Sequence, residues 1–214
     1  FELDNLHFPH DNEAEYIHQI DEKVVDEAAQ YIQNEAPDLS WVYLEYTDDM
    51  GHKFGDSDRF VKAVQIMDQQ MGRLWKAIQY REKNFGEEWQ LFITTDHGRD
   101  AATGKNHGGQ SDRERSTWIV TNAKSLNNYF LGKTGVETLP AVVDIMPTLA
   151  RHLGISFPKE QAFEIDGIPL TGKLSIVNST LKKEAKRIEI AWKALEKEGN
   201  VKVWLTTAND VEQG

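Results

Sequence analysis

Apolar residues return along the first third of the chain at helical intervals. Tyr16, Ile17, Ile20, Val24, Ala28, Tyr31 and Ile32 predict a helix over residues 13–35, which Pro37 ends. Ser40 to Tyr46 is a short apolar run of the kind that forms a buried strand. A polar, glycine-containing stretch, 47–55, follows as a loop. Phe60, Val64, Met67, Met71, Leu74 and Ile78 then mark one stripe of a long helix that Asp56 or Ser57 caps. Such a stripe is core packing. Trp89 to Thr95 predicts a second buried strand, 96–112 a glycine-rich loop, and Thr117 to Thr121 a third, short strand. Asp144 to Leu153 predicts a helix with Pro147 in its first turn and Gly154 as its stop. Further on, Leu181, Ala185, Ile188, Trp192 and Leu195 are spaced as on an amphipathic helix, and Val201, Val203 and Leu205 alternate as in a strand.

Helices alternating with strands predict an α/β fold with a mostly parallel sheet. In such sheets ligands gather beyond the carboxyl ends of the strands. The loops 47–55 and 96–112 are expected at that edge. The change of texture near Gly172 divides the chain into a main domain, 1–172, and a C-terminal helix–strand appendage, 173–214.

The 214 residues carry 24 Lys and Arg against 35 Asp and Glu, a net charge of −11. That charge repels polyanions and excludes tracking along nucleic acid. It does not exclude a small phosphorylated substrate if a bound metal supplies local positive charge. There is no cysteine, which excludes disulfides, thiolate metal sites and a cysteine nucleophile. No apolar run is long enough to span a membrane.

Candidate chemistry concentrates in the two loops. Of seven histidines, His7, His10, His18 and His152 read as surface or packed residues. His52, His97 and His107 each adjoin a glycine, in Asp48-Asp-Met-Gly-His52, Asp96-His-Gly98 and His107-Gly-Gly109. Imidazole nitrogen and carboxylate oxygen are good ligands for zinc and related divalent ions. Asp48 and His52, across a tight turn, can reach one ion, and a third ligand from the distant loop can close the site. Each piece alone is weak; their joint order is far more specific. Lys53, Arg99 and Lys105 are candidates for phosphate contacts. Phe8, His10 and Tyr129 are candidates to line a substrate pocket. Thr94 and Thr95 read as strand packing.

The stretches 43–55 (Tyr-Leu-Glu-Tyr-Thr-Asp-Asp-Met-Gly-His-Lys-Phe-Gly), 93–98 (Ile-Thr-Thr-Asp-His-Gly) and 106–109 (Asn-His-Gly-Gly) resemble the alkaline phosphatase superfamily. Within it they are most similar to the type I phosphodiesterase/nucleotide pyrophosphatase branch. Asp144-Ile-Met-Pro-Thr-Leu149 and Asp166-Gly-Ile-Pro-Leu170 resemble the closing helix and tail of such domains. The resemblance covers about residues 20–172. It implies a three-layer α/β/α protein, incomplete here at the N-terminal side, with two divalent ions, zinc or alternatively manganese. Asp48, His52 and His107 would hold one ion, and Asp96 and His97 the other, with Asp49 just outside the shell. The family's remaining ligand Asp and its Thr or Ser nucleophile lie upstream of the first motif, and no residue here matches them. The chain is therefore expected to be the C-terminal part of a catalytic domain, inactive alone and partnered by the missing N-terminal part. The implied reaction is a double displacement on a phosphodiester or pyrophosphate, with a periplasmic or secreted home. Rivals are a manganese-dependent phosphosugar mutase of the same superfamily, a sulfatase-like hydrolase and a non-catalytic module.

Overall fold

Helix α1 (Glu15–Glu35) buries Ile17, Asp21, Val25 and Ile32, the four- and seven-residue spacing of a single helical face. It packs on α3 (Asp58–Phe85), which buries Ala63, Gln70, Leu74, Ala77, Ile78 and Arg81. The computed structural model describes residues 15–131, 138–162 and 164–205. The expectations that fall on His7, Phe8, His10 and residues 13–14 of the first expected helix lie outside these. Ser57 is the α3 cap, its hydroxyl accepting from Phe60 N at 3.3 Å. Of the expected stripe on α3, Leu74 and Ile78 are buried and Phe60, Met67 and Met71 half-buried; Val64 is exposed, and Ala63, Gln70 and Ala77 are buried beside that line.

Between these helices the chain departs from expectation. Residues 40–45 run extended, with burial alternating between outward Trp41 and Tyr43 and inward Val42 and Leu44, yet they form no strand. Among the described residues no neighbour pairs with them. Residues 47–55, expected as a loop, are mostly helix: α2 (Tyr46–Phe54). Tyr46, Met50 and Phe54, four apart, join Ile17 and Ala63 in one apolar cluster with Phe60 and Ile66.

The chain divides into two compact units, one formed by residues up to Trp89 with Thr95–Trp118, the other by Gln90–Thr94 with the residues from Ile119 onward. In the second unit, β1 (Phe92–Thr94) pairs with β2 (Ile119–Thr121) in antiparallel register, Ile93 opposite Val120. This corrects the expected parallel sheet for the described residues. The intervening segment has only the four-residue helix α4 (Asp112–Arg115), too short to serve as a parallel crossover. A 3-10 turn (Val142–Asp144) leads into α5 (Ile145–His152). Asp144 accepts from Ile168 N at 2.6 Å, and the Thr148 hydroxyl accepts from Leu170 N at 2.8 Å, which ties α5 to the Asp166–Leu170 segment. After α6 (Lys159–Ala162), the expected C-terminal helix is instead a hairpin of β3 (Ile176–Glu184) and β4 (Arg187–Ala194). Leu181 faces Ile190 there, and Lys183 faces Ile188. The two-residue spacing of Ile188, Ile190 and Trp192 prevails over the helical one, as suits β-branched and aromatic residues. Residues 201–205 form no strand.

Candidate metal centre

The site grows from α2. Its first turn lies under the carboxylate of Asp21, a buried side chain of α1 that accepts from Tyr46 N at 2.9 Å and from Glu45 N at 3.1 Å. The Asp21 carboxylate thus satisfies backbone donors that a helix start leaves open. Burial pushes its pKa up to about 6, although both backbone bonds pull the other way. With Met50 and Phe54 turned to the core, the helical period sets Asp48 and His52 together on another face. Acidic residues stand in the first turn and His52 and Lys53 in the last, which suits the helix dipole.

The partner segment is 96–109. Gly98 N donates to Glu114 O at 2.7 Å, and a β-carbon on Gly98 would collide with the Arg113 carbonyl. Asp100 closes the next turn, accepting from Thr103 N at 2.7 Å, Ala102 N at 3.0 Å and Asn106 N at 2.8 Å. Those bonds hold its carboxyl well below the usual range. His107 follows directly. Ser111 and Glu114 form a capping box on α4, and Glu114 also accepts from Gly109 N at 2.9 Å. Arg113 joins Asp56 at 2.7 Å to the carbonyl of Asp100 at 3.0 Å. These supporting residues were missed in the sequence, although Ser111-x-x-Glu114 and the Asp100-Ala-Ala-Thr turn were there to be read.

Asp48, His52 and His107 converge, with ligand atoms all within 4.8 Å of one another. His52 Nε2 and His107 Nε2 are 3.0 Å apart, and Asp48 Oδ2 is 3.3 Å from His52 Nε2. A tetrahedral ion with bonds of about 2.0–2.1 Å has ligands about 3.3 Å apart; the two edges at His52 match that spacing, and the third, from His107 Nε2 to Asp48 Oδ1, is wider at 4.0 Å. Two imidazole nitrogens facing each other at 3.0 Å also call for a proton or cation between them. His97 Nε2 lies 3.6 Å from both Asp48 Oδ1 and Asp96 Oδ1. The His97 ring stacks on His107 at 3.7 Å. His97 Nδ1 lies 2.9 Å from Gly98 O. With the proton on Nδ1, Nε2 is left as a free acceptor. Asp96 is 76% exposed. Asp49 stays outside the cluster of three, its pKa raised by burial and then by the Asp48 charge.

The expected phosphate contacts diverge. Arg99 is turned inward onto Asp48, donating to its carboxylate and, at 2.7 Å, to its carbonyl. Lys53 lies 5.8 Å from the centre of the Phe54 ring. Lys105 offers its carbonyl to Arg99 at 3.2 Å. Thr95 donates to His97 O at 2.9 Å, a turn-forming role.

Mixed helices and small antiparallel sheets, with a carboxylate–imidazole cluster as a candidate cation site, describe the class of molecule. Residues 4–141 match the model of the type I phosphodiesterase / nucleotide pyrophosphatase family, and the chain belongs to that family. Among curated proteins it is similar to a venom phosphodiesterase of Naja atra, 35% identical over 66 residues. That alignment covers 30% of this chain and 8% of the relative. No solved structure matches it significantly.

Proposed function

We propose that this chain supplies the metal-ligand part of the active centre of a hydrolase that cleaves phosphodiester or pyrophosphate bonds. The observation that carries the reading is the meeting of Asp48, His52 and His107 from segments 55 residues apart. Family membership and the phosphodiesterase name of the relative support the reaction class.

In this reading Asp48, His52 and His107 hold one zinc ion, and Asp96 with His97 begins a second site. An Asp and a Thr or Ser nucleophile from a segment outside residues 1–214 complete it, within a three-layer alkaline-phosphatase-like domain that includes residues 1–172. Residues 173–214 form an appendage to it. Bound divalent ions supply Lewis acidity, stabilise negative charge on transferring oxygens and lower the pKa of an attacking hydroxyl. The chain's own residues fix the geometry of the site. Asp100 and Gly98 shape the loop that presents His97 and His107, and Asp21 anchors the helix that presents Asp48 and His52. Lys53 and Lys105 lie near enough in sequence to the ligands to meet a substrate phosphate. The small phosphorylated substrate is met outside the cytoplasm, a location that kinship to a venom protein supports.

Metal analysis after gel filtration in zinc tests the reading. The wild-type chain should retain about one equivalent tightly, since one site has three ligands here and the other two. His52→Ala and His107→Ala should each lose it. The 214-residue chain should not turn over bis(p-nitrophenyl) phosphate, whereas the complete protein should, and Asp48→Ala should abolish that activity. Absence of any stoichiometric ion in the wild type would sink the reading.

A further inference from the structure

We propose that Arg99 is a positioning residue for the cation site: it clamps Asp48 in the rotamer that meets His52, and residue 51 is glycine because the clamp lies against it. The proposal rests on the metal-site reading above and departs from the phosphate contact that the sequence suggested for Arg99.

The guanidinium bridges the two segments of the site. Nη2 donates to both the carbonyl and Oδ1 of Asp48 on α2, and Nη1 donates to Lys105 O in the loop that carries His107. The side chain is only 10% exposed, so it is not free to sweep the solvent for a substrate. With Oδ1 held by Arg99, the other oxygen, Oδ2, is left facing His52 Nε2 at 3.3 Å. The planar fork of arginine suits such multiple acceptors; a lysine ammonium does not reproduce it.

Gly51 supplies the second observation. It lies within α2, and its backbone is not among the positive-φ positions. Backbone conformation therefore gives no reason for a glycine there, and helix propensity argues for alanine. The reason is space: a β-carbon at residue 51 would stand 2.6 Å from Arg99 Nη2 and closer still to Cζ. The obstructed atoms are the end of a flexible side chain. An alanine would thus fold and displace the guanidinium from Asp48.

The test is zinc affinity, read by competition with a chromophoric chelator, together with thermal melting of the metal-free proteins. Arg99→Ala should weaken zinc binding by about 10- to 100-fold, the usual effect of removing an outer partner of a metal ligand. Arg99→Lys should weaken it similarly. Gly51→Ala should weaken it as well. The double variant Gly51→Ala/Arg99→Ala should bind no more weakly than Arg99→Ala and melt no lower, because both changes act on one contact. Lower melting temperatures with unchanged zinc affinity of the folded variants would make Arg99 a merely structural residue and overturn the proposal. Fully additive losses in the double variant would overturn the explanation of Gly51. A wild-type chain that bound no zinc would overturn the metal-site reading and this role with it. Tight wild-type binding with unimpaired Arg99→Ala binding would overturn this role alone.

Discussion

Asp21 shows how much of the site hangs on one side chain that no ligand motif contains. It is 3% exposed, and its carboxylate organises the start of the helix that carries Asp48 and His52. Its pKa rises from an ordinary 3.8 to about 6 on folding, so the folded protein binds more protons than the unfolded chain between those values. The stabilising contribution is therefore fullest below about pH 4 and declines as pH rises through 6. Glu45 and Asp49, also raised by burial, act with the same sign. Asp100 acts oppositely: its carboxyl is held low, and its contribution is lost only as pH falls below the ordinary range. Asp21→Asn should accordingly flatten the melting temperature against pH between 4 and 7, leaving a residual slope from Glu45 and Asp49. An unchanged profile in a circular-dichroism melting series would remove Asp21 from this role.

At the scale of elements, α2 explains why two ligands four residues apart work as a pair. Its apolar face, Tyr46, Met50 and Phe54, is seated against α1 and α3, and that seating fixes the rotation of the face bearing Asp48 and His52. Met50 is not itself a candidate ligand, yet Met50→Ala should cost about 2–5 kcal/mol of stability through the cavity it leaves. It should also weaken zinc binding, because a loosened helix no longer holds the carboxylate and imidazole at one spacing. Denaturant unfolding and the chelator assay read the two effects separately. The loop 96–109 has no regular structure and is held through its backbone N–H groups, which donate to the carboxylates of Asp100 within it and Glu114 on α4.

At the scale of the whole molecule, burial is uneven among the described residues. The α1–α3 pair buries apolar residues along both helices, with Asp21, Gln70 and Arg81 among them, whereas β3 and β4 beyond Val177 are exposed along both strands. Amide hydrogen exchange should show strong protection in α1 and α3 and rapid exchange over residues 180–194, since an exposed two-stranded hairpin is marginal in water. Equal protection in the two regions would contradict the burial pattern. No helix among the described residues is long and apolar enough to cross a membrane.

The sequence by itself determined the long helices and the family, and it nominated five candidate ligands, because helical periodicity and fixed motif spacing are local signals that survive without coordinates. Short apolar runs carried less. Residues 40–45 alternate as a strand should, but a strand needs a neighbouring strand to pair with its backbone, and among the described residues none lies beside them. The same limit made the 181–195 segment read as an amphipathic helix, whereas the pairing of β3 with β4 makes it part of a hairpin. Only tertiary structure showed that Asp48 and His52 share a helix rather than a turn, that Arg99 grips Asp48, and that Asp21 holds the helix in place. Each of these joins residues 24 to 51 positions apart or depends on core packing, and chain separation of that kind leaves no periodic trace to read.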